Sequence, residues 1–227
     1  MYKIFFDFDS TLITKETLEL LAEEALKENS DKEKFLEEIE KLTNQGMNGE
    51  ISLEESLQKR FALINLNKKH VENVSKKISD FLTESVKQNL NFFQNNSENF
   101  YIISGGFREC ILPICKILNL DEKNIFANEF IYDENGNISG VDMSLSTANK
   151  GGKLEIIKKI KSQNNSANNL QKYIMIGDGA SDLEAKQNEG ADFFIAFTET
   201  IYREKVVNQA DFEAKNMLEL LDILTKI

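Results

Sequence analysis

The stretch of sequence that decides the fold is Lys3-Ile4-Phe5-Phe6-Asp7-Phe8-Asp9-Ser10-Thr11-Leu12. Its apolar run is typical of a buried strand, and two acids follow where that strand ends, at the edge where open α/β sheets bind ligands. Because alternate residues of an extended chain point the same way, we expect Asp7, Asp9 and Thr11 to converge on one spot. Neighbouring carboxylates repel each other unless a cation, a proton or a hydrogen bond compensates. The segment therefore indicates a divalent metal site or a raised pKa, although acids of an ordinary turn would fit these residues taken alone.

Composition excludes several classes of protein. The 227 residues are 41% hydrophobic and 29% charged, as in a globular chain long enough for one core and a subdomain. A net charge of −11 argues against a nucleic-acid partner. No stretch reaches the roughly 18 apolar residues of a membrane helix, and the first strand leaves no room for a signal peptide, so we expect a cytoplasmic protein without a membrane partner. Cys110 and Cys115 lie five apart in a predicted helix and are expected to be free thiols.

A helical segment follows the first loop, between residues 14 and 82. Apolar residues recur there with helical spacing in four stripes, which include Leu18, Phe35, Leu57 and Val71. The third stripe is preceded by Ser52-x-x-Glu55, which has the spacing of a capping box. We therefore predict a small helical bundle at 14–82, inserted as a cap above the site, and a core formed by residues 1–13 and 83–227.

Strand and helix alternate in the rest of the chain. Apolar runs occur at 100–103, 173–176 and 193–197. Each run ends in a polar or glycine turn before a predicted helix, which is the βα pattern of a parallel sheet. Asn135-Gly136, between apolar runs at 126–132 and 138–141, predicts a hairpin. Pro113 should delay or kink the helix that follows the 100–103 strand. The predicted fold class is α/β, with a Rossmann-like parallel sheet as the core and an inserted helical-bundle cap.

Further polar motifs follow the later strands. Ser104-Gly105-Gly106 offers a hydroxyl and close backbone amides, which suit a phosphate group but also a common turn. In Gly177-Asp178-Gly179-Ala180-Ser181-Asp182, two acids could join Asp7 around an oxygen-loving cation such as Mg²⁺, or could be solvated acids of a glycine turn. Lys153, or alternatively Lys150, could add positive charge beside a phosphate.

The order of these motifs resembles the haloacid dehalogenase superfamily of phosphohydrolases. The resemblance runs along the whole chain and implies Mg²⁺-dependent hydrolysis of a small phosphate ester through an aspartyl-phosphate. Within the superfamily, it implies O-phospho-L-serine as the substrate, in the last step of serine biosynthesis. The same chemistry on another small phosphate ester, or phosphoryl transfer to an acceptor alcohol, is the alternative. An aspartyl-phosphate signalling receiver is disfavoured, because it would need neither the cap nor the acid Asp9.

The resemblance also implies a role for each site residue. Asp7 would be the nucleophile, and Asp9 would protonate the leaving group and then activate water. The residues implied to bind the phosphoryl group are Thr11, Ser104, Gly105 and Lys153. Those implied to surround the rest of the substrate are Glu16, Met47, Leu53, Arg60, Gly106 and Ser181, with Arg60 meeting a carboxylate and Glu16 an ammonium. Mg²⁺ would lie among Asp7, the Asp9 backbone carbonyl and Asp178, with Asp182 orienting water or Lys153.

The position of Arg60 is unusual even when the family resemblance is set aside. At about 100° per residue it lies about 20° from Leu53 on the predicted third helix, so a permanent cation occupies the apolar stripe. Such a charge needs an anion, unless its side chain reaches solvent at the edge of the bundle. Glu16 also has a simpler explanation, since the helix dipole favours acids in a first turn.

Overall fold

The main sheet has six parallel strands, in a computed structural model that describes residues 2–164 and 171–227 apart from the side chains of Leu53 and Asn164. In spatial order the strands are β3 (Ile125–Asn128), β2 (Phe100–Phe107), β1 (Tyr2–Phe6), β6 (Lys172–Gly177), β7 (Phe193–Phe197) and β8 (Phe212–Ala214). In β1, Phe6 lies opposite Ile102 on one side and Ile176 on the other. Along the chain, β2 and β3 are added on one side of β1, and β6, β7 and β8 on the other. The end of β1 is therefore a topological switch point, and Asp7 lies there.

Helices cover both faces of the sheet. Alternate residues of β1 pack on opposite faces, with Ile4 and Phe6 in one buried cluster and Phe5 in the other. The helices that pack on the first face are α5 (Glu84–Gln88), α6 (Leu90–Asn96), α7 (Arg108–Ile117) and α11 (Met217–Lys226). Those on the second face are α8 (Gly152–Asn164), α9 (Ala180–Gln187) and α10 (Glu204–Val207). Strands buried on both faces explain the continuous apolar runs, and the predicted α/β fold class is confirmed.

The segment after the first loop forms four helices, as its periodicity predicts. They are α1 (Thr17–Ala25), α2 (Lys32–Met47), α3 (Leu53–Phe61) and α4 (Lys68–Lys77), and a 3₁₀ turn at Ile78–Phe81 follows them. Ser52 caps α3 by accepting a hydrogen bond from the Glu55 amide at 3.0 Å. The chain enters and leaves this bundle through adjacent segments, because Ile13 pairs with Leu82 in an antiparallel bridge. We call these helices the cap, and its bounds at 14 and 82 stay a prediction.

A two-stranded hairpin joins the core to the cap. It consists of β4 (Phe130–Tyr132) and β5 (Ile138–Val141), with Gly136 in the turn at a φ of +78°. The expected first strand at 126–132 is in fact divided, because β3 belongs to the main sheet and only β4 pairs with β5. The Ile138 amide donates to the Leu66 carbonyl at 2.9 Å, so the hairpin is bonded to the loop between α3 and α4.

The prediction that Pro113 delays its helix is wrong, since α7 begins at Arg108 and continues through Pro113. Proline cannot bond to the carbonyl four residues earlier, which is that of Glu109. The Ser75 hydroxyl of α4 donates to this carbonyl at 2.8 Å and replaces the missing partner.

The cysteines Cys110 and Cys115 are free and buried in α7. In the described residues, no helix has the length and apolar character needed to cross a membrane.

Candidate active site

Asp7 is held at the switch point by a backbone amide and a buried lysine. Its Oδ1 accepts a hydrogen bond from the Phe8 amide at 2.8 Å and lies 2.9 Å from the Lys153 Nζ. Lys153, near the start of α8, also lies 2.6 Å from the Asp182 Oδ1. Burial by itself would lower the pKa of Lys153, but the carboxylates of Asp182 and Asp7 raise it overall, so the ammonium keeps its proton. The alternative cation, Lys150, is exposed.

Asp9 is fixed by the first residue of α1. Its Oδ1 accepts from the Thr17 amide at 3.1 Å, and its Oδ2 accepts from the Thr17 hydroxyl at 2.9 Å. The amide is one of those that a helix start leaves unbonded, and the helix dipole favours a carboxylate there. Burial, together with repulsion by Glu16 and Asp7, raises the pKa of Asp9 well above its usual range. A carboxyl group with a raised pKa keeps its proton to higher pH than an ordinary aspartate, which suits the role of general acid.

Three buried carboxylates form an acidic cluster. Asp7, Asp178 and Asp182 each offer an oxygen within 4.8 Å of the others. Burial and repulsion by neighbouring acids raise the pKa of Asp178 to about 7 and that of Asp182 to about 8. A divalent cation would remove this repulsion, and oxygen ligands suit Mg²⁺, so the residues present fit the predicted metal. The cluster also contains Asp182, which was predicted to orient water or Lys153, while both side-chain oxygens of Asp9 are bonded to Thr17.

The end of β2 brings its backbone close to Asp9. Ser104 accepts a hydrogen bond from the Gly106 amide at 2.9 Å. A Cβ on Gly106 would lie 2.8 Å from the Thr17 hydroxyl and 2.9 Å from the Asp9 Oδ2, so this approach requires glycine. The predicted turn at residues 104–106 is part of β2, whose register with β3 is irregular between Ile103 and Phe107.

A pocket extends from Asp7 to the cap. The predicted site residues in its wall are Asp7, Asp9, Glu16, Met47, Arg60, Ser104, Gly105, Gly106, Lys153 and Ser181. Thr11 does not line this pocket, contrary to its predicted phosphate-binding role, because its buried hydroxyl donates to the Asp178 Oδ1 at 3.3 Å. The side chain of Leu53 lies outside the described part of the chain. The structure therefore gathers the other predicted phosphate-binding and substrate-binding residues around one space.

Two buried ionisable residues, Glu16 and Arg60, line the end of the pocket near the cap. Ser10, at a φ of +55°, donates to the Glu16 Oε1 at 2.7 Å. Burial raises the pKa of Glu16 to about 7. Arg60 is only 8% exposed, so it does not reach solvent at the edge of the bundle. Burial lowers the pKa of Arg60, while the charges of Glu16, Glu19 and Asp9 oppose that change.

Sequence reasoning missed two residues that complete the site. Arg203, also buried, donates to the Asp178 Oδ2 at 3.0 Å and to the Asn44 Oδ1 of the cap at 3.1 Å. The side-chain amide of Asn128 donates to the Gly105 carbonyl at 2.8 Å and so holds the end of β2. Neither lies in a periodic pattern. The sequence indicated Arg203 only indirectly. Several acids were predicted to be buried beside a single lysine, and buried charges need partners of opposite sign, so a further cation was needed.

The fold and the site define a phosphohydrolase built on an α/β core with an inserted cap. A family model of haloacid dehalogenase-like hydrolases matches residues 4–186, and the chain belongs to this family. It is similar to phosphoserine phosphatase of Bos taurus, with 31% identity over 219 residues, which are 96% of this chain and 91% of that protein.

Solved structures agree with this family. A phosphoserine phosphohydrolase-like protein from Francisella tularensis has a TM-score of 0.86 and 38% identity, covering 98% of this chain and 99% of its own. A phospho-aspartyl intermediate analogue of phosphoserine phosphatase has a TM-score of 0.76 and 30% identity, with 97% of each chain covered. The protein is therefore an enzyme of the phosphatase type, and the predicted resemblance is confirmed.

Proposed function

We propose that the protein hydrolyses O-phospho-L-serine to L-serine and phosphate. The observation that carries this proposal is the lining of one pocket, with Asp7, Ser104 and Lys153 at one end and Glu16 with Arg60 at the other. A phosphate ester of an amino acid carries a phosphoryl group, a carboxylate and an ammonium. Arg60 would bind the carboxylate and Glu16 the ammonium, and such contacts are strong where water is excluded. The reaction would complete serine biosynthesis.

The carboxyl groups of Asp7 and Asp9 have different roles in the proposed reaction. An Asp7 oxygen attacks phosphorus, the bond from phosphorus to the serine oxygen breaks, and Asp9 gives its proton to that oxygen. In the second half, water attacks the aspartyl-phosphate, Asp9 takes the proton, and the Asp7 carboxylate is released with phosphate. The similarity to a phospho-aspartyl intermediate analogue of phosphoserine phosphatase supports an intermediate of this kind. Asp9 suits both steps because its raised pKa lets it carry a proton.

The surroundings of Asp7 compensate the charge that develops on the phosphoryl oxygens. Lys153, 2.9 Å from Asp7, and the hydroxyl of Ser104 would contact oxygens of the phosphoryl group. Asp7 and Asp178, with the Asp9 backbone carbonyl, would hold Mg²⁺. The bound ion would supply positive charge that offsets the repulsion between Asp7 and the phosphate.

The proposal is tested by measuring phosphate release from a panel of esters. The panel contains phosphoserine, phosphothreonine, common sugar phosphates and p-nitrophenyl phosphate, each with and without Mg²⁺. We expect the largest kcat/KM for phosphoserine with Mg²⁺. A sugar phosphate as the preferred substrate would refute the assignment but not the phosphatase class. Phosphorylation of an added alcohol in preference to water would indicate phosphoryl transfer.

A further inference from the structure

The Arg60 guanidinium is held by contacts that lie outside the pocket wall. Its Nη1 donates to the Thr43 Oγ1 of α2 at 3.2 Å, and its Nε donates to the Ser56 carbonyl of α3 at 3.3 Å. Arg60 lines the pocket, whereas Thr43 and Ser56 do not. A guanidinium has more N–H donors than these two contacts use, and the others remain for the pocket.

Thr43 is itself fixed in place. It is 3% exposed, and its hydroxyl lies 3.0 Å from the Ile39 carbonyl, to which it donates. That bond uses the single hydrogen of the hydroxyl, while an oxygen lone pair accepts from Arg60. Thr43 thus links Arg60 to a backbone carbonyl of α2.

We propose that Thr43 is a positioning residue that sets the enzyme's preference for substrates with a carboxylate. It holds the Arg60 side chain in one orientation, so that the free guanidinium edge faces the pocket before substrate binds. A long charged side chain without this contact would have to be ordered by the substrate, and binding would weaken. The inference rests on the proposed function, in which Arg60 binds the carboxylate of phosphoserine.

The matched variants Thr43→Val and Thr43→Ser test this role, since valine has nearly the shape of threonine and serine keeps the hydroxyl. For Thr43→Val we expect KM for phosphoserine to rise about 10- to 100-fold, with kcat changed by less than about threefold, because a buried charged donor loses its acceptor. The kcat/KM for p-nitrophenyl phosphate, which has no carboxylate, should change much less. Thr43→Ser should restore most of the affinity for phosphoserine.

A double-mutant cycle with Arg60→Ala separates positioning from a structural effect. If Thr43 acts through Arg60, adding Thr43→Val to Arg60→Ala should cause no further loss with phosphoserine. Equal losses on both substrates for Thr43→Val, or a further loss in the Arg60→Ala background, would overturn the proposal. Activity on p-nitrophenyl phosphate reports whether each variant folds, and Thr43→Ala replaces Thr43→Val if the latter does not.

The Arg60→Ala variant also separates this inference from the proposed function. If Arg60→Ala lowers phosphoserine hydrolysis selectively and Thr43→Val does not, only the role of Thr43 is refuted. If Arg60→Ala leaves the preference between the two substrates unchanged, Arg60 does not bind a substrate carboxylate, and the proposed function fails together with the role of Thr43.

Discussion

Replacement of Arg60 by alanine should change which substrates the enzyme prefers. Arg60 lines the pocket and is only 8% exposed, so a carboxylate bound to it would be largely removed from water. Loss of one partner of a desolvated, hydrogen-bonded charge pair costs roughly 2–4 kcal/mol. This cost corresponds to a fall of about 30- to 1000-fold in kcat/KM for phosphoserine. For p-nitrophenyl phosphate, which has no group for Arg60 to bind, the fall should be much smaller.

Stability must be measured beside activity. Truncation also removes the Arg60 contacts with Thr43 and Ser56, and it removes the positive charge that acts on Glu16 and Glu19. Arg60→Met is the matched control, since it keeps most of the side-chain volume without the charge. Both variants should lose phosphoserine hydrolysis to a similar extent, and Arg60→Met should show the smaller fall in Tm. Equal losses on both substrates would show that Arg60 only supports the cap, and would leave an unspecified small phosphate ester as the substrate.

Three further predictions concern the chemistry and its pH dependence. Asp7→Asn should lower kcat by several orders of magnitude, because an amide cannot form the acyl-phosphate, while the circular dichroism spectrum stays unchanged. Retention of a tenth of the activity would exclude Asp7 as the nucleophile. A chelator should inactivate the enzyme reversibly, and Mg²⁺ but not Ca²⁺ should restore it, because the longer bonds of Ca²⁺ would hold Asp7 out of line; full activity in excess EDTA would contradict this. Burial raises the pKa of Glu16 to about 7, so below that pH the empty pocket holds a neutral acid that binds an ammonium poorly. The kcat/KM for phosphoserine relative to p-nitrophenyl phosphate should therefore fall about tenfold from about pH 8 to about pH 6, and Glu16→Gln should abolish this dependence.

Much of the fold was predictable because its signals are local. A continuous apolar run followed by acids predicts a buried strand of a parallel sheet, and β1 with Asp7 at its end agrees with that prediction. Helical periodicity predicted α1 to α4, because each of these helices buries one face. A late start of α7 was wrongly predicted, because the carbonyl that Pro113 leaves without a partner is bonded to Ser75, a residue of another helix.

The sequence by itself determined which residues could perform the chemistry, since the acids, the glycines and Lys153 follow strands or begin helices whose ends a parallel sheet brings to one edge. Only the tertiary structure decided how their charges are balanced and directed. Arg203 pairs with Asp178, Asn128 holds Gly105, and Thr43 holds Arg60. Each of these contacts joins two different helices, strands or loops, and a single polar residue outside a repeating pattern carries no sign of its partner. Its position is set by how the elements pack, which is why the cations and acceptors around the predicted acids became visible only in three dimensions.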